Sequence, residues 1–406
     1  MTYLDHFECS ECHENLPADV PQANKCKDGG LLYARYDLER ARREISMETV
    51  TRGPASMWRY APFLPLDDID NAVTLGEGWT PLTPADRLAK KIGSGELLVK
   101  NEGMCPTGSF KDRGAAVALS RYRELGINDV ILNSSGNASG AFSLYAARAG
   151  MRCVSILPTD AQSSSQKQCS LAEAERYMLA AERWHEAGGI VAELSERHGW
   201  FNVGTMKEPF RTEGKKTMGY EIAEQLGWDM PDVIAYPVGG GTGAVAIWKG
   251  LEELIAMGWV TGKLPRMLVT QYEGCAPIVK AYEDGREECE PWGEIDILPG
   301  GLKSPAPAAG KQILRSIRET NGLGVAVSTD ETLEAVAELA SLEGVFACPE
   351  AATTLAGVKQ ALKSGQVSKD ERVVLVCTGS GLKSAPSLPH SEFQMINSAD
   401  DVPATA

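Results

Sequence analysis

From Val73 onward the chain alternates between apolar, β-rich runs of four to seven residues and longer stretches with helical spacing. That alternation predicts an α/β fold built on parallel-sheet units. Three of the apolar runs end in loops of small residues. Val130 to Asn133 runs into Ser134-Ser135-Gly136-Asn137, Val233 to Val238 into Gly239-Gly240-Gly241-Thr242-Gly243, and Val373 to Cys377 into Thr378-Gly379-Ser380-Gly381. Ala-rich helices are predicted after the first two, over Ala138 to Ala149 and Ala244 to Met257. The third loop leads into a non-periodic segment with Pro and Ser. The first fifty residues read differently. Cys9, Cys12 and Cys26 lie in a polar stretch ending at Gly29-Gly30, and Tyr33 to Met47 reads as a charged helix. No internal repeat is present. The end, from about His390, is polar and expected to fray.

In open α/β sheets ligands sit beyond the carboxyl ends of the strands. Small residues there let backbone N–H groups approach an anion closely, and a following helix N-terminus adds partial positive charge. A single loop of this kind is equally well a tight turn. Three in one chain favour an anion-binding pocket. Gly239 to Ala244 formally fits the dinucleotide fingerprint G-x-G-x-x-G/A. That fingerprint wants an acid about 20 residues on, whereas the next strand-like run, Arg266 to Gln271, reaches its acid only at Glu273. No Gly-Lys-Ser/Thr is present, which excludes a P-loop. One phosphate cradled by amides fits better than a pyrophosphate.

The 406 residues set a prior of about two to three domains. Apolar residues at 43% and charged residues at 23% are an ordinary globular mix. No stretch approaches the ~18 uncharged apolar residues of a membrane span. The net charge of −15 disfavours a nucleic-acid partner. The N-terminus is polar and acidic, unlike a signal or transit peptide. Ten cysteines without an export signal then read as reduced thiols of a cytoplasmic protein.

Pro106-Thr107-Gly108-Ser109-Phe110-Lys111-Asp112-Arg113-Gly114-Ala115 sets a lysine between a Gly/Ser turn and an Ala-rich helix start. Helix N-termini disfavour cations, and the charges of Asp112 and Arg113 roughly cancel. A lysine held near a positive helix end should have a lowered pKa, as a Schiff-base nucleophile needs. By position alone, a solvent-exposed lysine at a helix start is the competing reading.

Thr107 to Gly114 resembles the lysine motif of threonine synthase and its relatives in the fold-type-II pyridoxal-phosphate family. Gly76-Glu77-Gly78-Trp79-Thr80-Pro81-Leu82 is similar to that family's entry motif, and Ser134-Ser135-Gly136-Asn137 to its cofactor-ring loop. Arg211-Thr212-Glu213-Gly214-Lys215-Lys216-Thr217, Glu224 to Trp228, Pro237 to Gly243 and Thr378 to Lys383 continue the likeness in the same order. The resemblance spans about residues 70–385. It implies two doubly wound αβ domains with pyridoxal phosphate in the cleft between them. A large domain of residues 51–115 and 230–390, a small domain of 116–229, a Cys-containing head of 1–50 and a tail of 391–406 are expected. The resemblance implies that Lys111 holds the cofactor as a Schiff base and then moves the substrate α-proton. It gives Asn137 the cofactor's ring hydroxyl, and Gly239, Gly240, Gly241, Thr242 and Gly243 its phosphate. Thr378 would meet the pyridine nitrogen. A hydroxyl there does not force a protonated ring, which favours elimination or replacement over transamination. Ser134, Ser135 and Ala138 would bind the substrate carboxylate, and Lys207 and Arg211 a further substrate anion. The implied reaction turns O-phospho-L-homoserine and water into L-threonine and phosphate. The alternative is a threonine or serine dehydratase, or a related β-elimination or replacement. Relatives of this fold are commonly dimers, so a homodimer is expected.

Three departures bear on the substrate. Ala138 stands where threonine synthases usually have Thr. Glu208 stands where they usually have Asn, and an acid near a substrate phosphate would repel it. Gly-Gly-Gly-Thr-Gly replaces the Gly-Asn form of the phosphate loop. The head is also incomplete. Cys9-x-x-Cys12 has zinc-ribbon spacing and Cys26 is a third thiol, with His13 or Asp28 as a further ligand. With no second Cys pair, the expectation is a degenerate ribbon without metal that is dispensable for chemistry. Cys105, Cys153, Cys169, Cys275, Cys289, Cys348 and Cys377 show no ligand spacing, and His185, His198 and His390 no partners. Two rivals of other classes are a nicotinamide dehydrogenase, which leaves the Lys111 motif unexplained, and a non-enzymatic ribbon protein on a dead fold.

Overall fold

The computed structural model describes residues 2–19, 26–389, 395, 396 and 398. Most of the expected tail, 391–406, therefore lies outside the described residues. In chain order the strands are β1 Leu4–Cys9, β2 Asn15–Pro17, β3 Leu32–Tyr36, β4 Leu82–Pro84, β5 Leu97–Asn101, β6 Asp129–Asn133, β7 Arg152–Pro158, β8 Glu175–Leu179, β9 Phe201–Asn202, β10 Val233–Pro237, β11 Arg266–Tyr272, β12 Leu323–Val327 and β13 Val373–Cys377. They form three sheets. The head holds an antiparallel sheet in the order β2-β1-β3. A six-stranded sheet runs β12-β11-β10-β13-β5-β4, parallel except at the β4–β5 pair. A four-stranded parallel sheet runs β8-β7-β6-β9.

β10 and β13 are neighbours buried at every position, as central parallel strands covered on both faces must be. Their alternate residues enter two separate cores. Ile234, Tyr236, Val374 and Val376 join one, and Val233, Ala235, Val373 and Leu375 the other. Among the described residues no helix is long and apolar enough to cross a membrane.

One expected element differs. Tyr33 to Tyr36 belongs to β3, and the helix that follows is short, Leu38–Glu44. Leu32, Ala34 and Tyr36 are buried while Tyr33 and Arg35 are not. That period of two places one face on the core and fixes a strand; the charges at Arg35, Arg40 and Arg42 concealed it.

The helix Phe210–Gln225 is buried at every position from Phe210 to Glu224, although it carries six charges. Each carboxylate on it meets cations or hydroxyls from other elements. Glu213 pairs with Lys216 (2.7 Å) and Lys249 (3.0 Å) and accepts from the Tyr36 hydroxyl (2.8 Å). Glu224 pairs with Arg59 at 2.8 Å and accepts from Tyr60. Glu221 meets Lys100 at 2.7 Å and Arg113 at 2.6 Å, and Arg113 also grips Glu102 at 2.6 Å. Lys100 spends its other protons on the Thr80 carbonyl and Gln225. Such complete pairing is what a buried ion needs. The helix Lys111–Glu124 crosses this one at two facing glycines. A Cβ on Gly214 would lie 1.9 Å from the Arg113 carbonyl oxygen, and one on Gly114 would lie 3.0 Å from that of Arg211. Only glycine allows so close a crossing.

Burial alone would raise the Glu221 carboxyl, but Arg113 and Lys100 hold it down at about 2. A carboxyl depressed on folding contributes stability above its unfolded pKa, and that contribution is lost as pH falls through the folded value. Glu221→Ala takes away the carboxylate paired with buried Lys100 and one of the two paired with Arg113, and should lower the unfolding free energy at neutral pH by about 3–5 kcal/mol. The deficit should shrink as pH falls from the ordinary 4.5 toward about 2, read by urea unfolding of both proteins across that range.

Candidate active site

The loops singled out by composition lie at the carboxyl ends of strands from both parallel sheets. Ser134-Ser135-Gly136 follows β6 of the four-stranded sheet. Gly239 to Gly241 follows β10, and Thr378 follows β13, its neighbour in the six-stranded sheet. Lys111 is the first residue of the helix Lys111–Glu124. The turn before it is stitched to the third loop: Phe110 N–H donates to the Thr378 carbonyl (3.1 Å), and Ser380 N–H to that of Gly108 (2.9 Å).

The Lys111 amine stands 4.0 Å from the centroid of the Phe110 ring. Burial, then the nearby Arg211 guanidinium, bring its pKa down to about 7; Glu350 and Cys348 oppose them. The sequence argument placed this shift on the helix end, whereas desolvation leads. Asp112 and Arg113 do not offset Lys111 either. Asp112 accepts from the Thr107 amide at 2.6 Å, and Arg113 is committed to Glu102 and Glu221.

Two departures of the sequence take on a different meaning. Glu208 is buried and turned into the helix Phe210–Gln225, where its carboxylate accepts from the amides of Phe210 (2.6 Å) and Arg211 (3.2 Å). It caps a helix N-terminus, a favourable place for an anion, and is not a bare charge in the pocket. Lys215, one helical turn after Arg211, was not singled out by sequence. It is buried, its Nζ lies 5.9 Å from the same Phe110 ring, and its pKa falls well below the usual value through burial, Arg211 and Lys111. The i, i+4 spacing from Arg211 was the available signal. Arg211 is also buried. It donates to the Val203 carbonyl at 2.5 Å, lies over the Phe142 ring at 4.9 Å, and its Nε has no partner. Lys207 is half-buried and makes no ion pair among the described residues.

The second loop has the shape of an anion cradle. Gly241 holds φ +92° and precedes the helix Thr242–Ala256. Gly240 faces open space apart from Thr205, 3.1 Å from where a Cβ would sit. Gly243 lies within the helix, where a Cβ would strike the Tyr236 hydroxyl. Asn137 is the first residue of the helix Asn137–Ala149 and Ala138 the second, both following the Ser134 loop. Gln162 joins this side to the other: it accepts no hydrogen bond at Oε1, and its Nε2 reaches Glu350 (3.5 Å) and Ser384 (3.4 Å). Glu350 is a second residue that sequence did not single out. It is buried and takes the Gly301 amide at 2.8 Å.

Residues 73–379 match the family model described as pyridoxal-phosphate dependent enzyme. The chain belongs to the pyridoxal-phosphate-dependent enzymes. It is 35% identical to the threonine synthase of Methanocaldococcus jannaschii over 375 residues, 92% of each chain. It is 36% identical to that of Methanosarcina acetivorans over 378 residues, 93% of this chain and 92% of the relative. The fold is also that of the processed form of threonine deaminase isoform 2 from Solanum lycopersicum, with TM-score 0.65 at 19% identity, over 82% of this chain and 94% of that one.

The residues present fit this cofactor. The buried Oδ1 of Asn137 and Oγ of Ser109 have no partner within the protein, as polar atoms waiting for a ligand would. The Gly240 backbone is open to an anion, and the Lys111 amine has its pKa brought down to about 7. Because a Gly240 side chain meets only Thr205 Cγ2, Gly240→Asp should fold normally and place a carboxylate against the bound phosphate. Cofactor affinity should drop by several kcal/mol, on the order of 100-fold or more. Titration of the apoenzyme with pyridoxal phosphate, followed by visible absorbance, checks this beside an unchanged thermal midpoint of the apo form.

Proposed function

We propose that the chain converts O-phospho-L-homoserine and water to L-threonine and phosphate. The observation that carries this reading is a cluster of basic groups, Lys111, Arg211 and Lys215, with one carboxylate, Glu208, beside them. Burial and then the Arg211 guanidinium lower the Lys111 pKa, and burial, Arg211 and Lys111 lower that of Lys215, while Glu208 is drawn into a helix cap. A substrate phosphate would favour the protonated forms of these groups and pair with them. Threonine or serine would bring no second anion to this cluster. The 35% and 36% identity to two threonine synthases supports the same choice.

When bound, pyridoxal phosphate supplies an electron sink that acidifies the hydrogens of the substrate's Cα and Cβ. We assign the other tasks to the protein as follows. Asn137, Thr378 and the amides of Gly239 to Thr242 hold and orient the cofactor. Ser134, Ser135 and Ala138 receive the substrate carboxylate at a helix start. Lys111, neutral above about pH 7, takes the proton from Cα and moves protons among Cα, Cβ and Cγ. Arg211 and Lys207 hold the phosphate while the Cγ–O bond breaks, and water then adds at Cβ. We further place the enzyme in the cytoplasm as a homodimer. Ten free cysteines support the compartment, and the commonness of dimers in this fold supports the assembly.

Arg211→Ala removes a charge-assisted contact to the substrate phosphate. It should lower kcat/KM for O-phosphohomoserine by at least ~2 kcal/mol, about 30-fold, and barely change any turnover of serine. Assays of phosphate release and of keto-acid release, run side by side, read the two. Equal losses on both substrates would make Arg211 structural and remove the argument for a phosphorylated substrate.

A further inference from the structure

The head contains a second cluster that the chemistry above does not use. Cys9 ends β1, Cys12 lies in the turn toward β2, and Cys26 and Asp28 precede β3. Three thiol sulfurs and a carboxylate oxygen from these residues all lie within 4.8 Å of one another. Cys12 Sγ is 3.6 Å from Cys26 Sγ, and Cys9 Sγ is 3.4 Å from Asp28 Oδ1. Ligand atoms around a tetrahedral zinc ion, with bonds of roughly 2.0–2.3 Å, stand roughly 3.5–3.8 Å apart. The two short edges therefore already have the length that zinc imposes.

The surroundings orient these atoms. The Glu11 amide donates to Cys9 Sγ at 3.4 Å, and the Gly30 amide to Asp28 Oδ1 at 2.9 Å. Outer contacts of this kind aim ligands at a metal. Gly30 closes the cluster with its own backbone, because a Cβ there would stand 2.3 Å from Cys9 Sγ and 3.1 Å from Asp28 Oδ1. Cys9 and Cys26 are buried while Cys12 and Asp28 are exposed, so an ion can reach the cluster from solvent.

We propose that Cys9, Cys12, Cys26 and Asp28 form a structural zinc site that closes the head. Four protein ligands leave no open coordination position, so the site is not catalytic. The thiols bind as thiolates, and their protons pass to solvent. The sequence expectation of a metal-free ribbon rested on the missing second Cys pair; folding supplies Asp28 as the fourth donor instead. The site also has a mechanical consequence. The turn it ties down carries Glu11, which pairs with Lys311 at 2.5 Å on the helix Gly310–Glu319. Just before that helix, Ala309 N–H donates to the Gly240 carbonyl at 3.2 Å. The head thus braces the segment that backs the phosphate loop.

The test uses the full-length protein purified without chelator, with elemental analysis by plasma mass spectrometry and cobalt(II) replacement of the bound metal. About one zinc per chain is expected, and cobalt(II) should give thiolate-to-metal charge transfer together with intense tetrahedral bands. Cys12→Ser, at an exposed ligand, and Asp28→Asn should each lower the zinc content of the folded protein at least ~10-fold. Retention of visible cofactor absorbance by the variants shows that the enzyme has folded. Wild-type protein without zinc and without a tetrahedral cobalt spectrum would overturn the proposal. So would a Cys12–Cys26 disulfide found by mass spectrometry, or zinc retained equally by both variants.

Discussion

Arg113 holds two buried carboxylates at once, and the placement of the reactive lysine follows from that. Its guanidinium bridges Glu102, beyond the end of β5, and Glu221, on the helix Phe210–Gln225. Arg113 lies two residues after Lys111 on the same helix. The bridge therefore docks the start of that helix against the six-stranded sheet and against the buried helix together. It also commits both of these acids to buried cations. What Lys111 meets instead is a dry setting with Arg211 and Lys215 on the neighbouring helix, and its amine gives up its proton near pH 7.

The helix Phe210–Gln225 consequently has two ends of different character. Its carboxylates Glu213, Glu221 and Glu224 are matched by Tyr36, Arg59, Lys100, Arg113 and Lys249, and the matching is internal to the protein. At its N-terminal end Arg211 and Lys215 exceed the one carboxylate beside them, and Arg211 Nε is left without a partner. Burying basic groups without a matching acid costs several kcal/mol or drives off their protons. A fold that tolerates such a cost at one place, and avoids it along the rest of the same helix, points to a ligand that brings the missing negative charge.

Much of this was legible in the chain. The strands β6, β10 and β13 were visible as apolar runs, and the loops after them as small-residue segments, because both signals are local. The helices after the first two loops were placed to within one or two residues, at Asn137–Ala149 and Thr242–Ala256. What escaped depended on contacts distant in sequence. The cause of the Lys111 shift is burial against a helix a hundred residues away. Glu208 looked like a repulsive charge until its cap became visible, and nothing local set Lys215 or Glu350 apart as site residues. β3 was masked by arginines that lie outside its buried face. Asp28 and His13 were equal candidates beside the cysteines until the head folded, which sets Asp28 among the thiols and His13 against Glu8.

The central claim is that desolvation and the bridge at Arg113 single out Lys111, among several buried lysines, as the one that carries the cofactor. Lys111 is half-buried, whereas Lys100, Lys215 and Lys216 are fully buried, and each of these also has a lowered pKa. Borohydride reduction of the holoenzyme followed by peptide mapping separates them. The account predicts the pyridoxyl label on the peptide containing Lys111 and on no other. A label on Lys215, or on any lysine outside the Thr107 to Gly114 segment, would contradict it.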